Sequence, residues 1–384
     1  MRYPEFLKKN GTIGFVAPSY GCNIEPYKSA FRNAQRRFRK MGYRVELGPN
    51  CYEGSGVGIS NTPEKCAAEL QEYYCSGSND VLISCGGGEL MCEDLNYMDF
   101  ERIAAAKPKW YLGYSDNTNM TFLLTTLCDT ASIYGPCAPA FGMEPWHPAI
   151  RATFDVLTGK GLTASDVQTE KTAAASDVQT EKAVTVSAVQ TERDTTASAV
   201  SAEKILRVHS YDKYEKESLK DEKHPLLPYH VTEPRVMVRV PDQDVRMEGR
   251  LIGGCLDLLP MYLGTRFDRV QDFLEKYSGD GILWFLESCD LNPMGIRRAL
   301  WQLEQAGWFR HVSGFLIGRP LCHGETLLGM DQYEAVTGIL GKYGVPILMD
   351  LDIGHIPPAM PLICGSYAKV VAVGNDISIE MMLR

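Results

Sequence analysis

Apolar positions in this chain gather in short runs that alternate with amphipathic stretches. Thr12–Ala17, Tyr43–Leu47, Val81–Cys85, Trp110–Gly113 and Ala131–Tyr134 read as strands. Between them, Pro26–Met41, Thr62–Cys75 and Asp116–Cys128 carry helical spacing. Gly42 stops the first of these, and Asn61-Thr62-Pro63 opens the second as an N-cap with proline in the first turn. Strands alternating with helices of this length predict βαβ units and a parallel sheet over residues 1–150. In such sheets the chemistry sits in loops beyond the carboxyl ends of the strands.

The pattern then lapses. Residues 163–204 hold a repeat of period 11, seen in Ala164–Lys171, Ala175–Lys182, Val186–Arg193 and Ala197–Lys204. The repeated apolar position is a lone valine (Val167, Val178, Val189, Val200) among Ala, Ser and Thr, which is too thin a stripe to bury. The segment reads as a solvated tandem insertion in a linker, 151–232. Deleting Thr163–Glu203 is therefore expected to leave the melting temperature nearly unchanged; a large drop in a thermal scan would refute the solvated reading.

Regular patterning resumes over 233–384. Arg235–Val240, Ile282–Leu286, Val312–Ile317, Pro346–Met349, Leu362–Ile363, Lys369–Val373 and Ile377–Met382 read as strands. Helices are predicted after Gly254-Cys255-Leu256 and over Pro293–Ala306, so this second domain reads as mixed α+β.

Composition narrows the function classes. The 384 residues are 45% hydrophobic with a net charge of −9 and no dense Lys/Arg block, which argues against a nucleic-acid partner. No apolar stretch approaches the ~18 residues of a membrane span, and the N-terminal MRYPEFLKKNG has no apolar signal core. Twelve cysteines are scattered with no C-x-x-C spacing, which predicts reduced, mostly buried thiols in a cytoplasmic protein rather than a disulfide or zinc framework. No metal-binding spacing appears and no cofactor is called for.

Four places carry candidate chemistry. In Gly113-Tyr114-Ser115-Asp116-Asn117-Thr118 a serine sits at a strand-to-helix turn, where the helix dipole and the Asp116 backbone N–H favour a developing oxyanion. The G-x-S-x-G elbow is absent, and a plain helix N-cap explains the turn at least as well. Gly86-Gly87-Gly88 closes a strand and lets backbone approach a ligand, but it is equally a tight turn and matches no nucleotide motif. Glu287 ends the apolar run Gly281–Leu286, and His355 lies in a Gly/Pro-bounded loop. A nucleophilic serine needs a base, and the base an orienting carboxylate. His209, His224, His230 and His323 are also present, so residue types alone do not choose. Ser115-Asp116-Asn117 also matches the S-D-N box of β-lactamases. That reading needs an S-x-x-K upstream, whereas Ser201–Lys204 lies after it in the repeat, and no K-T-G follows, so it fails.

Taken together, Gly11–Ser19, Gly86-Gly87, Lys109–Thr118, Tyr134-Gly135-Pro136, Gly253-Gly254 with Leu256, Leu286-Glu287 and Asp352–His355 make the chain resemble the LD-carboxypeptidase family of serine peptidases, which includes murein tetrapeptide carboxypeptidases and microcin C self-immunity proteins. The resemblance covers nearly everything outside about 160–232. It implies a flavodoxin-like N-terminal domain, a smaller mixed C-terminal domain, and a cleft between them. It also implies Ser115 as nucleophile, His355 as general base and acid, Glu287 as its orienting partner, and oxyanion donors from Asp116 and Gly87 or Gly88. The implied substrate is a small peptide ending in D-Ala, or the amide joining an aminoacyl group to a nucleotide-like moiety, with Trp146 or Tyr229 as stacking candidates for the latter. A homodimer is implied as well. Arg319, in Gly318-Arg319-Pro320, is a candidate cation for a substrate carboxylate. The chain departs from the family pattern at Cys255, where many murein-type members carry Asn, at Ser288-Cys289-Asp290, and in the repeat; all three bear on substrate choice.

Overall fold

The computed structural model describes residues 1–161, 163–164 and 204–384. The repeat and its solvated reading therefore lie outside the described residues, apart from its ends at Thr163-Ala164 and Lys204.

The first half forms β1 (Thr12–Val16), α1 (Tyr27–Lys40), β2 (Arg44–Leu47), α2 (Pro63–Cys75), β3 (Val81–Ser84), α3 (Phe100–Ala105), β4 (Trp110–Gly113), α4 (Thr118–Cys128), β5 (Ser132–Tyr134) and α5 (Pro148–Thr158). The strands pair in parallel in the order β2-β1-β3-β4-β5, the flavodoxin-like arrangement. Every residue of β1, β3, β4 and β5 is buried, which is why these strands read as continuous apolar runs rather than alternating ones.

The second half adds β6 (Thr163–Ala164), β7 (Lys204–His209), β8 (Lys213–Glu215), β9 (Val231–Pro234), β10 (Val238–Val240), β11 (Val245–Cys255), α6 (Val270–Lys276), β12 (Ile282–Glu287), α7 (Pro293–Gln305), β13 (Val312–Gly318), α8 (Gln332–Leu340), β14 (Ile347–Leu351), β15 (Leu362–Cys364), β16 (Tyr367–Val373) and β17 (Asp376–Leu383). A nine-stranded sheet runs β10-β14-β13-β12-β11-β16-β17-β7-β6, parallel from β11 to β14 and antiparallel elsewhere. β15 leaves this sheet and pairs antiparallel with β5, so a strand from the C-terminal half completes the N-terminal sheet.

Two expectations fail locally. Past Gly254 there is no full helix, only a 3-10 turn at Leu259–Tyr262, because β11 runs on to Cys255. Gly253 permits this: a Cβ there would lie 1.7 Å from the Phe285 carbonyl oxygen of β12. Of the strand expected over Arg235–Val240 only the end forms, as β10, because the buried Arg235 side chain turns back to donate to the Tyr211 carbonyl oxygen. Helix α8, which the apolar pattern missed, carries a legible start signal, the capping box of Asp331 and Glu334. All twelve cysteines are free. Among the described residues no helix is long and apolar enough to cross a membrane.

Candidate functional site

β4 ends at Gly113, and the chain turns sharply into α4 through Ser115, whose φ of +62° lies in the left-handed region. Such strain at a non-glycine residue persists only where the surroundings over-determine it. Here the Tyr134 hydroxyl, from the neighbouring strand β5, accepts the Ser115 N–H at 3.1 Å. Asn117 braces the turn from below, donating to the Gly86 and Tyr114 carbonyl oxygens at 2.7 and 3.1 Å.

β12 ends at Glu287 and β14 leads into the loop that carries His355. His355 Nε2 lies 2.9 Å from Ser115 Oγ, and Nδ1 lies 2.7 Å from Glu287 Oε2. The fold thus assembles three residues separated by 172 and 68 positions (287 − 115 and 355 − 287) into one hydrogen-bonded chain. Glu287 is only 2% exposed, while Ser115 and His355 are half-buried. Burial alone would push the Glu287 carboxyl up. The positive imidazole and hydrogen bonds from His355 and Tyr134 outweigh burial and hold it below the usual range. Burial likewise works against a charged His355, and the Glu287 charge overrides it and raises the imidazole. The arrangement can take a proton from Ser115 Oγ onto His355 and stabilise the resulting imidazolium.

The glycine turn packs against the serine. A Cβ on Gly87 would come within 3.1 Å of Ser115 Cβ and 3.2 Å of its Oγ, and one on Gly88 within 2.2 Å of Ser19 Oγ. Tyr20 N donates to the Gly87 carbonyl oxygen at 2.8 Å, which fixes the turn. Asp116 ties the same region together. Its carboxylate accepts from the Ser19 hydroxyl at 2.6 Å, from Met91 N at 3.0 Å and from Asn119 at 3.0 Å. The peptide N–H groups of Asp116 and of the glycine turn thus belong to segments locked beside the nucleophile. Gly354 leaves room for the carboxylate, since a Cβ there would fall 2.4 Å from Glu287 Oε2.

Arg319 is not in this cluster. It is 1% exposed, its guanidinium stacks 4.0 Å from the Tyr214 ring, and its Nη2 donates to Asp350 O and Asp352 Oδ1. It supports the loop leading to His355 from within the core. Trp146 is also committed, with Arg37 and Arg151 over its ring at 4.9 and 4.5 Å and Nε1 donating to the Phe141 carbonyl oxygen. Tyr229 packs edge-on against His147. Cys255 is buried, donating its N–H to Thr118 Oγ1, with its thiol 3.4 Å from Asp257. Asp257 in turn accepts from the backbone of Cys289 and Asp290, so two of the departures, Cys255 and Ser288-Cys289-Asp290, are joined through it into one hydrogen-bonded unit. Tyr134, one of the family landmarks, is the residue to which the motif reading assigns no role. Its place beside Ser115 follows from the pairing of Gly113 with Tyr134, which the sequence does not print.

The 3-10 segment Met91–Tyr97, which follows the glycine turn in the chain, holds a buried acid. Asp94 is fully buried, and among the described residues neither of its carboxyl oxygens has a hydrogen-bond partner. Burial, and then the charges of Asp116, Glu93 and Glu69, push its carboxyl up to about 9. The folded state therefore holds this proton while the unfolded state releases it near pH 4. Its stabilising effect is complete below that pH and is lost as pH rises toward 9. Asp94→Asn is expected to flatten that loss, retaining about 2–4 kcal/mol more stability than wild type between pH 5 and 8.5. Urea unfolding at both pH values measures this; parallel curves for the two proteins would count against a protonated Asp94.

Comparison with known proteins agrees with this architecture. Family models described as the LD-carboxypeptidase N-terminal domain and C-terminal domain match residues 13–135 and 248–370. A probable murein peptide carboxypeptidase of Bacillus subtilis is 23% identical over 391 residues, covering 98% of this chain and 94% of that protein. The microcin C7 self-immunity protein MccF of Escherichia coli is 22% identical over 380 residues, covering 97% and 94%. Among solved structures, an MccF-like protein from Bacillus anthracis superposes with a TM-score of 0.74 at 20% identity over the whole of both chains. MccF in complex with glutamyl sulfamoyl guanosine superposes with a TM-score of 0.71 at 20% identity, covering 98% of this chain and 97% of that one.

Proposed function

Because the chain belongs to the LD-carboxypeptidase family, we propose that it is a serine-type hydrolase that cleaves an L,D-peptide bond and releases a terminal D-Ala from a murein tetrapeptide. The observation that carries this reading is the continuous chain from Ser115 Oγ through His355 to Glu287.

In this mechanism Ser115 Oγ attacks the scissile carbonyl carbon while His355 Nε2 takes its proton. The tetrahedral oxyanion is held by the backbone N–H of Asp116 and that of Gly87 or Gly88. His355 then protonates the departing amine, and the C–N bond breaks to leave an acyl-Ser115 ester. Water, deprotonated by His355, attacks the ester, and the proton returns to Ser115 Oγ. Glu287 holds the imidazole in its working orientation and stabilises its charged form at both stages. No step calls for a metal or cofactor. The family resemblance adds a cytoplasmic homodimer to the reading, and twelve free thiols suit a reducing compartment.

A second reading is favoured by the likeness to MccF, which has been solved with an aminoacyl sulfamoyl nucleotide. In it the same three residues cleave the amide between an aminoacyl group and a nucleotide-like moiety. The commitment of the Trp146 ring to Arg37 and Arg151 removes one stacking candidate and favours the murein peptide. The deciding experiment offers the purified chain a murein tetrapeptide, the matching pentapeptide and an aminoacyl-sulfamoyl adenylate, and follows products by mass spectrometry. D-Ala released from the tetrapeptide alone is expected. Cleavage of the adenylate alone would move the function to detoxification, and no turnover of any of them would sink both substrate assignments.

A further inference from the structure

We propose that Tyr134 is a positioning residue of this reaction, its hydroxyl registering the Glu287 carboxylate of one domain against the Ser115 turn of the other. The proposal rests on the serine-hydrolase reading above.

The Tyr134 hydroxyl makes two hydrogen bonds at once. It donates to Glu287 Oε1 at 2.5 Å and accepts the N–H of Ser115 at 3.1 Å. Glu287 uses its other oxygen, Oε2, for His355. Both carboxylate oxygens are thus committed, one to Tyr134 and one to His355, and the carboxylate cannot swing without breaking one of these bonds. Tyr134 itself has little freedom. It is 2% exposed, lies in the fully buried strand β5, and packs its ring 5.4 Å from Phe285 and 6.5 Å from Tyr114. It therefore spans the two sheets with a rigid reach.

The second bond explains the strained turn. Left-handed backbone at Ser115 leaves its N–H outside any helix or strand ladder, so it needs an acceptor of its own. The Tyr134 oxygen supplies it, so the Ser115 N–H is already spent and the next one, that of Asp116, is the oxyanion donor of the proposed mechanism. Because the phenol is pushed well above its ordinary range by burial and by the Glu287 charge, it stays a proton donor throughout. A neutral donor on a carboxylate lowers the proton affinity of the Glu287–His355 pair. The other titratable groups facing the pair are Cys255 beside Glu287 and Cys289 beside His355, and the Tyr114 ring stacks 5.1 Å from the imidazole.

The test uses the full chain and two readouts, turnover of the tetrapeptide and the second-order rate at which an organophosphonate labels Ser115, each as a function of pH. Tyr134→Phe is expected to slow both by about 10- to 100-fold, the worth of one hydrogen bond to a charged group. It is also expected to move the acid limb of the profile to higher pH, because the pair then holds its proton more tightly. Tyr134→3-fluorotyrosine keeps the ring and hydroxyl, donates more strongly, and is expected to move the limb to lower pH. In a Glu287→Gln background, Tyr134→Phe is expected to cause little further loss. Unchanged rates, an unmoved acid limb, or full additivity with Glu287→Gln would each overturn the proposal. Labelling of wild type at Ser115 without tetrapeptide turnover would overturn the substrate assignment and leave the Tyr134 role to be read from the labelling rates. A wild-type chain not labelled at all would overturn both.

Discussion

Ser115→Ala is expected to lower kcat by about a million-fold, with KM little changed. The substitution deletes the Oγ that lies 2.9 Å from His355 Nε2 and nothing else of the site. The glycine turn, the Asp116 anchors and the Glu287–His355 pair do not depend on that oxygen, so substrate binding should survive. Ala in the left-handed conformation at this position is no worse than Ser, and the melting temperature should stay within a few degrees of wild type. His355→Ala should cost about as much, and the double variant should cost no more than either alone, because nucleophile and base act as a unit. Single-turnover kinetics with mass spectrometry of the acyl-enzyme measure all three. Residual turnover of a tenth of wild type in Ser115→Ala would remove this serine from the mechanism.

The second large effect concerns the carboxylate. Glu287→Gln is expected to lower kcat by about 10⁴-fold at constant fold and nearly constant KM. The amide is isosteric and can still occupy the space beside Gly354 that a Cβ would invade. It cannot stabilise the imidazolium, and a side-chain NH₂ turned toward His355 would hold the wrong tautomer. The pH profile should shift as well. In wild type the Glu287 charge raises the His355 imidazole above its ordinary value, so the neutral base is scarce at neutral pH and activity should climb into the alkaline range. Without that charge, burial dominates and pushes the imidazole down, so the acid limb of Glu287→Gln should move to lower pH. A profile with the wild-type limb and a small drop in kcat would show that Glu287 merely fills space.

The parallel sheet was legible because its strands are buried on both faces and therefore read as bare apolar runs. Ser115, Glu287 and His355 stood out for a related reason, since each follows such a run, at the edge where polar chemistry begins. Residue types and spacing left them open beside other serines and histidines; the ordered set of family motifs singled them out. What the chain does not print is strand order. Glu287 meets His355 because β12, β13 and β14 lie side by side, and Tyr134 meets Ser115 because β5 is paired to β4. Tyr134 stands among the family landmarks, but its residue type and spacing are those of any core tyrosine in a short strand. Arg319 shows the opposite error. A strand-end Gly-Arg-Pro reads alike whether the arginine faces a cleft or sits buried. The difference here lies in Tyr214 and Asp352, far away in sequence.

β15 carries a consequence for how this molecule admits its substrate. Leu362–Cys364 are laced to Tyr134–Ser132 as part of the N-terminal sheet, although the chain on either side belongs to the C-terminal half. The halves are also sewn together by Tyr262 to Asn119, Tyr277 to Asp129 and Arg250 to Tyr3. A clamshell that opens and shuts would have to tear these bonds at each turnover. Substrate is therefore expected to enter without the halves swinging apart, and selection should work by exclusion at the entrance, as a keyway rejects blanks. Separate expression of the two halves would leave each with an exposed sheet edge, and the pair should recover activity only when co-refolded.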